Sequence, residues 1–458
     1  MLNRLLRLFE SSPSSDNGPT TYTQQMHGIA KSDISHSAIK VIAQLQEKGY
    51  SAYLVGGGVR DLLLDTSPKD FDVATDATPE EIRSVFRNSR IIGKRFRIVH
   101  VRFGREIIEV TTFRGSHTNA QEKGEAAQSE KGILLRDNVY GDIKSDALRR
   151  DFTINALYYN PQNGEILDFT GGMEDLQDRR IKIIGDATKR YKEDPVRMLR
   201  AVRFSAKLIF TLDSDTEAPI HEHADYLAEI PSARLFEEVL KLFLSGYATS
   251  TLHKLRDFGL LAYLFPGTDA LIANDDDLNS KLVFNAAKNT DKRLRRGKRV
   301  TPAFVYAAML WPQLRQQMKY LQEEQKLPLY DSLQQAAQGV ITQQLSYTSI
   351  PKRFLLPMRD IWNLQWRLNR REGRRAQALM EHQRFRAAYD FLLLREESGE
   401  DLDGLGTWWT SFQNADEEQK EALIKAVIPK GQRNPRKRRR SPKKKTELNN
   451  EQQPKPCE

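Results

Sequence analysis

The stretch GGGVRDLLLDTSPKDFDVATD, residues 56–76, sets three glycines and an arginine ahead of two aspartates separated by one phenylalanine. Alternation along a strand would point Asp70 and Asp72 to one face and turn Phe71 and Val73 into a core. Two such carboxylates about 4 Å apart repel by roughly 4 kcal/mol at an effective dielectric of ~20, so one protonates unless a cation intervenes. A hard divalent ion removes the conflict, with waters and phosphate oxygens completing its shell. A strand-end pair facing water is the simpler alternative. The preceding residues favour the ion, because glycines let backbone N–H groups approach an anion and Arg60 can neutralise a phosphate. A strand, a glycine turn with a basic residue and then Asp-x-Asp on the next strand together indicate transfer of a nucleotidyl group, with two Mg²⁺ ions bridging carboxylates, α-phosphate and an attacking hydroxyl.

Outward from this stretch, the chain has 458 residues, enough for two to four domains with buried cores. Its only cysteine is Cys457, which excludes an intrachain disulfide and a cysteine-based zinc site and fits a reducing, cytoplasmic setting. No apolar run approaches the ~20 residues that span a bilayer, so a soluble protein is expected. Leu2, Leu5, Leu6 and Phe9 either form a short amphipathic helix or belong to a frayed terminus. The net charge is +10, and residues 430–445, KGQRNPRKRRRSPKKK, hold ten basic residues and no acidic one. That run carries the excess, is expected to be disordered, and suits a polyanion such as RNA or DNA.

Residues 1–35 are polar and read as a flexible N-terminal arm. From 36 to 172, β-branched and aromatic runs (YLVGGG, DFDVAT, RIVHVRFG, EIIEVTTF, INALYYN) predict strands of one sheet. TPEEIRSVFRNS predicts a helix capped by Thr78, with Pro79 in its first turn. Residues 115–132 hold no apolar side chain larger than alanine and predict a mobile loop. Beyond about 173, helical periodicity takes over in EDPVRMLRAVRFSAKL, ARLFEEVLKLFLSGY, TPAFVYAAMLWPQL, PMRDIWNLQWRLNRREGRRAQALMEH and FRAAYDFLLLR. In the first of these, Asp194 and Pro195 suit a helix start. Arg197, Arg200, Arg203 and Lys207 share one face, while Val196, Leu199 and Val202 share an apolar one. Four cations on one face call for an anion.

LVGGGVRD, KDFDVAT, IIEVTTFRG, RRDFTINALYY, DFTGGMEDLQDRRIKIIG and EDPVRMLRAVRF follow one another, over about residues 47–210, in an order that resembles the class II nucleotidyltransferases. This family comprises bacterial poly(A) polymerases and CCA-adding enzymes. The resemblance implies an α+β fold: a polymerase-β-like nucleotidyltransferase head of mixed sheet and helices, followed by an all-helical neck and body. The implied domains are a catalytic head at 36–172, a neck for nucleotide recognition and RNA binding at 173–270, an arginine-rich body at 271–428 and a disordered basic tail at 429–458. It makes Asp70 and Asp72 the metal-binding catalytic carboxylates, with Asp151 of RRDFT as the third and Glu109 as the alternative. Gly57 and Arg60 would cradle phosphates, and Arg150 would contact triphosphate or ribose. Asp194 and Arg197 would read the edge of the incoming base, with Arg200 and Arg203 binding the nucleotide.

Within the family, three features resemble the poly(A)-adding branch. They are IIGKRFRIVHVRFG at 91–104, with Lys94, Arg95, Phe96 and His100; the arginine-rich helical half, with IPSARLFEEVLKLFLSGY at 230–247 as an RNA-binding segment; and the basic tail. His100 alone reads as a strand residue making one hydrogen bond. Trp362, Trp366, Trp408 and Trp409 either pack in a core or stack on bases. The runs 292–299 and 370–375 either track an RNA backbone or are solvated helix faces. The implied reaction is untemplated addition of adenylates from ATP to RNA 3′ ends by a monomer using Mg²⁺, marking bacterial RNAs for decay. An RNA chaperone or the RNA-decay machinery is an open partner. A binding-only adaptor on the same fold is the competing reading, against which every carboxylate and arginine that the chemistry needs is present.

Overall fold

In the computed structural model, which describes residues 18–93, 97–115, 126–128, 134–137, 139–272 and 277–427, the glycine–aspartate stretch lies at the centre of a mixed sheet. The sheet has eight strands: β1 (Thr20–Tyr22), β2 (Ala52–Val55), β3 (Asp72–Thr75), β4 (Ser89–Ile92), β5 (Ile98–Phe103), β6 (Glu106–Thr112), β7 (Leu157–Asn160) and β8 (Glu165–Asp168). Their order across the sheet is β1-β8-β7-β2-β3-β6-β5-β4. Only β3 and β6 run parallel; every other pair is antiparallel. The five strands expected from sequence all form. Thr78 caps the helix Pro79–Val85 through a reciprocal bond with Glu81, as the TPEE pattern predicts.

The expected arm at 1–35 is corrected from residue 20 onward. β1 closes one edge of the sheet against β8, and Ile29 and Ile34 are buried in the core. Three apolar side chains spread through a polar stretch (Met26, Ile29, Ile34) were enough to anchor it, too few to register as periodicity. Residues 126–128 and 134–137 pair as a short antiparallel ribbon at the edge of the expected loop. The segment around Leu2, Leu5, Leu6 and Phe9, the trio Lys94, Arg95 and Phe96, and the basic run 430–445 lie outside the described residues.

After residue 172 the chain is mainly helical, apart from a short parallel pairing of Arg180–Ile181 with Thr211–Leu212. Val196–Leu208, Ser232–Phe243, Leu278–Arg295, Pro302–Met309, Trp311–Glu323, Leu329–Leu345, Lys352–Leu368 and Phe385–Glu397 are the principal helices. One buried apolar cluster runs without a break from Met26 in the head to Leu394 in the body. A second forms around Trp409 and Phe412. Trp362 and Trp409 are core residues whose indole N–H groups donate to Ala307 and Leu368 carbonyls. Trp366 and Trp408 are partly exposed and carry Arg370 and Arg371 against their faces. Among the described residues no helix is long and apolar enough to cross a membrane.

Candidate active site

Strand β3 begins at Asp72, so Asp70 stands just before it, exposed, with Phe71 between them packed against the core. Parallel pairing sets Asp72 directly beside Glu109 of β6. Burial pushes the Asp72 carboxyl up to about 6, reinforced by the negative charges of Glu109 and Asp70 and opposed by Arg150. Glu109 Oε1 in turn lies 3.2 Å from Nε2 of His100, its cross-strand neighbour on β5.

The glycines turn β2 into a short helix, Gly57–Leu63, through Gly56 at φ 77° and ψ −139°, a conformation that only glycine adopts without strain. A Cβ on Gly56 would stand 3.8 Å from Asp72 Oδ2 and 3.9 Å from Arg150 Nη1, so this bare backbone is flanked by the acid and the base of the site. Gly57 opens the helix beside Arg60 Nη2. Arg60, expected to cradle phosphates, is buried, and its guanidinium donates to Asp61 Oδ1 and, at 2.6 Å, to Asn155 Oδ1. It fastens the glycine helix to the segment after RRD.

Arg150 closes the helix Ile143–Arg149 and is aimed by two buried residues. Asp146 Oδ2 accepts from Arg150 Nη2 at 2.9 Å and from the Tyr158 hydroxyl at 2.7 Å, while Arg150 Nε donates to Tyr158 at 3.0 Å. The other Asp146 oxygen accepts from the Arg114 backbone. Burial pushes the Asp146 carboxyl up, but Arg150 and Tyr158 together hold it below its usual range. A small apolar cluster of Val55, Ala74, Phe113, Ala147 and Tyr158 backs this network.

Asp151, expected as the third carboxylate, is not part of the Asp72 cluster. Its Oδ2 accepts from Arg200 Nε at 2.6 Å and from Nη2, and its Oδ1 accepts from the Phe152 backbone at 2.8 Å and Asn155 Nδ2 at 3.2 Å. Burial opposes ionisation, yet Arg200 and these donors bring the carboxyl down to about 2. Asp151 and Arg200, expected in catalysis and nucleotide binding respectively, neutralise each other across the head and the helix Val196–Leu208. Glu109 is the carboxylate that the fold brings to Asp72.

The helix Val196–Leu208 buries Val196, Leu199 and Val202 and turns its cations toward the head, as its spacing predicts. Lys207 reaches Asp61 at 3.3 Å. Arg60, Arg200 and Arg203 all lie within 5.3 Å of the Phe204 ring centre. Arg203 Nε is buried without a hydrogen-bond partner, and burial beside Arg200 lowers the guanidinium to about 10. Arg197 Nη1 donates to Glu193 Oε2 and to the Arg190 carbonyl, whereas Asp194 Oδ2 accepts from Arg234 at 2.7 Å. The expected base-reading pair thus lies three residues apart, with Arg197 bonded to Glu193 and Asp194 to Arg234.

Asp146, Tyr158 and Glu193 were legible as i−4 neighbours of Arg150 and Arg197 or as the next strand position. Arg234 lies forty residues beyond Asp194, with no local pattern linking them. Among the described residues no group of three or more histidine, cysteine, aspartate or glutamate side chains is arranged to hold a metal ion by itself. Asp70, Asp72 and Glu109 nonetheless leave an excess of negative charge facing Arg150, which fits a hard divalent ion that takes two carboxylates and completes its shell from phosphate and water.

Three sequence profiles match the chain: "Poly A polymerase head domain" over 52–182, "Probable RNA and SrmB- binding site of polymerase A" over 209–272, and "Polymerase A arginine-rich C-terminus" over 325–445. Poly(A) polymerase I of Salmonella typhimurium is 47% identical over 430 residues, covering 93% of this chain and 92% of that protein. The Haemophilus influenzae poly(A) polymerase I is 45% identical, covering 86% and 88%. Among solved structures, a CCA-adding enzyme complexed with CTP superimposes with a TM-score of 0.56 at 20% identity over 87% of this chain and 89% of that one, which establishes a common fold. With head, RNA-binding segment and arginine-rich region all matched in order, the chain belongs to the poly(A) polymerase I family, enzymes of RNA polyadenylation.

Proposed function

We propose that the chain transfers adenylates from ATP, without a template, to RNA 3′ ends and releases pyrophosphate, with Asp70, Asp72 and Glu109 as its catalytic carboxylates. The observation that carries this reading is the half-buried Asp72, paired with Glu109 across β3 and β6 and sharing the bare backbone of Gly56 with Arg150, in a chain of this family. Bound Mg²⁺ supplies Lewis-acid polarisation of the α-phosphate and acidifies the 3′-hydroxyl. Asp70 and Asp72 would hold it, and Glu109 completes the charge. Arg150, aimed by Asp146 and Tyr158, contacts the triphosphate, and the bare backbone at Gly56 and Gly57 leaves room for it. Arg203, with a buried unpartnered Nε, supplies a second anion contact. Asp194 and Arg197 recognise the base edge, Asp194 being oriented by Arg234.

Adenylated RNAs would then enter decay, the enzyme acting as a cytoplasmic monomer. Primer extension with purified protein, Mg²⁺ and one NTP at a time, on an unstructured RNA and on a tRNA lacking its CCA end, tests the reaction. A long ladder with ATP alone on the unstructured RNA is expected. Addition confined to two cytidines and one adenosine on the tRNA would overturn it. Asp70→Ala with Asp72→Ala should abolish incorporation and leave RNA binding intact.

A further inference from the structure

The helical body carries a cavity that no step of nucleotidyl transfer uses. It encloses about 640 Å³ between the end of Leu278–Arg295 with its following turn, the first half of Lys352–Leu368, and residues 383–397. That is room for a nucleotide, within the range of small-ligand sites. Its floor includes Phe304, Phe354, Pro357 and Ile361, and its rim carries Lys292, Arg296, Lys298, Arg299, Arg353 and Arg384. Two acids also line it, and both are already satisfied. Asp390 pairs with Arg293 at 3.1 Å and Arg386 at 3.0 Å, and Glu397 accepts from Asn289 at 2.8 Å. The six rim cations have no ion-pair partner among the described residues, and Arg384 Nε is buried without a hydrogen-bond partner.

Cations on a single helix face are ordinary solvated surface. Here they converge from three separate segments of sequence onto one concavity with an aromatic floor. Uncompensated like charge around a low-dielectric wall focuses potential and draws in an anion. An aromatic platform ringed by arginines is the arrangement that binds single-stranded nucleic acid, with bases stacked on the rings and phosphates on the rim. The placement agrees: Phe354 stacks on Phe236, ring centres 5.9 Å apart, and Phe236 is on the same helix as Arg234, which holds Asp194. One helix thus separates the cavity from the nucleotide-recognition residues.

We propose that this cavity holds an upstream nucleotide of the single-stranded RNA being extended, anchoring the primer while its 3′ end is at Asp72. The inference rests on the RNA-extending reading above. It is tested in the full chain with Arg296→Glu, Arg299→Glu and Arg353→Glu combined, all three side chains being exposed, with the melting temperature checked against wild type. Affinity for a long unstructured oligoadenylate, by fluorescence anisotropy, should fall roughly tenfold or more, with a shallower salt dependence. The KM for that primer should rise, while KM for ATP and extension of a primer too short to reach the cavity stay at the wild-type level. A 4-thiouridine placed upstream in the primer should crosslink to the segments 296–304 or 353–361. Wild-type affinity and KM in the triple variant would overturn the proposal. So would displacement of nothing but an acidic peptide from the cavity, which would assign it to a protein partner. A protein that binds RNA through the cavity but incorporates no nucleotide would fault the polymerase reading alone.

Discussion

Asp151, the last residue of RRD, and Arg200 form an ion pair that joins the head to the helix Val196–Leu208, each satisfying the charge of the other. Asp151→Asn should act on stability: it strands a guanidinium, and because 32% of the Arg200 side chain remains exposed the loss is on the order of 2 kcal/mol, below that of a fully buried pair. Combining it with Arg200→Gln should restore part of the melting temperature. Glu109→Gln should do the reverse, leaving the melting temperature within a degree or so of wild type and lowering kcat about a hundredfold or more at saturating ATP. An inactive but fully stable Asp151→Asn protein would return Asp151 to the catalytic set.

The difference shows what local sequence can and cannot specify. Periodicity located β2, β3, β5, β6 and β7 and the helix Val196–Leu208, because each buries one face and its alternation is written in consecutive residues. It missed β1, β4 and β8, of which β1 and β4 are the edges of the sheet and β8 is held between β1 and β7. Asp70 and Asp72 were legible as a pair separated by one residue. Glu109 comes to lie beside Asp72 only through parallel pairing of β3 with β6 over thirty-seven positions, a register that no window contains. The partners that hold Arg60 and Arg200, Asn155 and Asp151, lie far along the chain, so no local pattern announced them.

The Asp72 carboxyl gives the enzyme a pH dependence whose sign is fixed. Its folded pKa, about 6, lies above the ordinary value for an aspartate, so the folded state binds more protons across that interval and loses stability as pH rises from about 4 to about 6. Divalent cations bind the ionised form and should recover the loss. Asp72→Asn should therefore melt at or above wild type at pH 7 without metal, gain nothing from Mg²⁺, and incorporate no nucleotide. In the wild type, incorporation at limiting Mg²⁺ should fall as pH drops through about 6, with the midpoint moving lower as Mg²⁺ is raised. A midpoint indifferent to Mg²⁺ would detach the titration from Asp72.

Tyr158 and Asp146 act through Arg150 and touch no substrate in this scheme. Tyr158→Phe removes one bond from Arg150 and one from Asp146 while preserving the packing against Phe113 and Phe169. The expected result is a several-fold rise in KM for ATP with a smaller change in kcat and about 1 kcal/mol of stability lost. Asp146→Asn should raise KM further, because it weakens every bond that aims the guanidinium. Equal loss of kcat and KM effects in Arg150→Lys would show that the fork geometry of Arg150 matters more than its charge. Unchanged KM in Tyr158→Phe would sink the positioning role.

Arg234 offers the sharpest separation of base selection from chemistry. It reaches from the helix Ser232–Phe243 to Asp194 at 2.7 Å and lies forty positions from it, so its removal leaves Asp70, Asp72, Glu109 and Arg150 untouched. Arg234→Met keeps the aliphatic stem and deletes the donor. Asp194 then loses the bond that fixes its carboxylate, and a site built to hydrogen-bond a base edge discriminates by leaving wrong bases unpaired. The ratio of kcat/KM for ATP over CTP should drop roughly tenfold, mostly through KM, while single-turnover incorporation of ATP at saturation changes little. Preserved selectivity with a lowered melting temperature would make the Arg234–Asp194 bond a structural tie between neck helices and move base recognition to Arg197 alone.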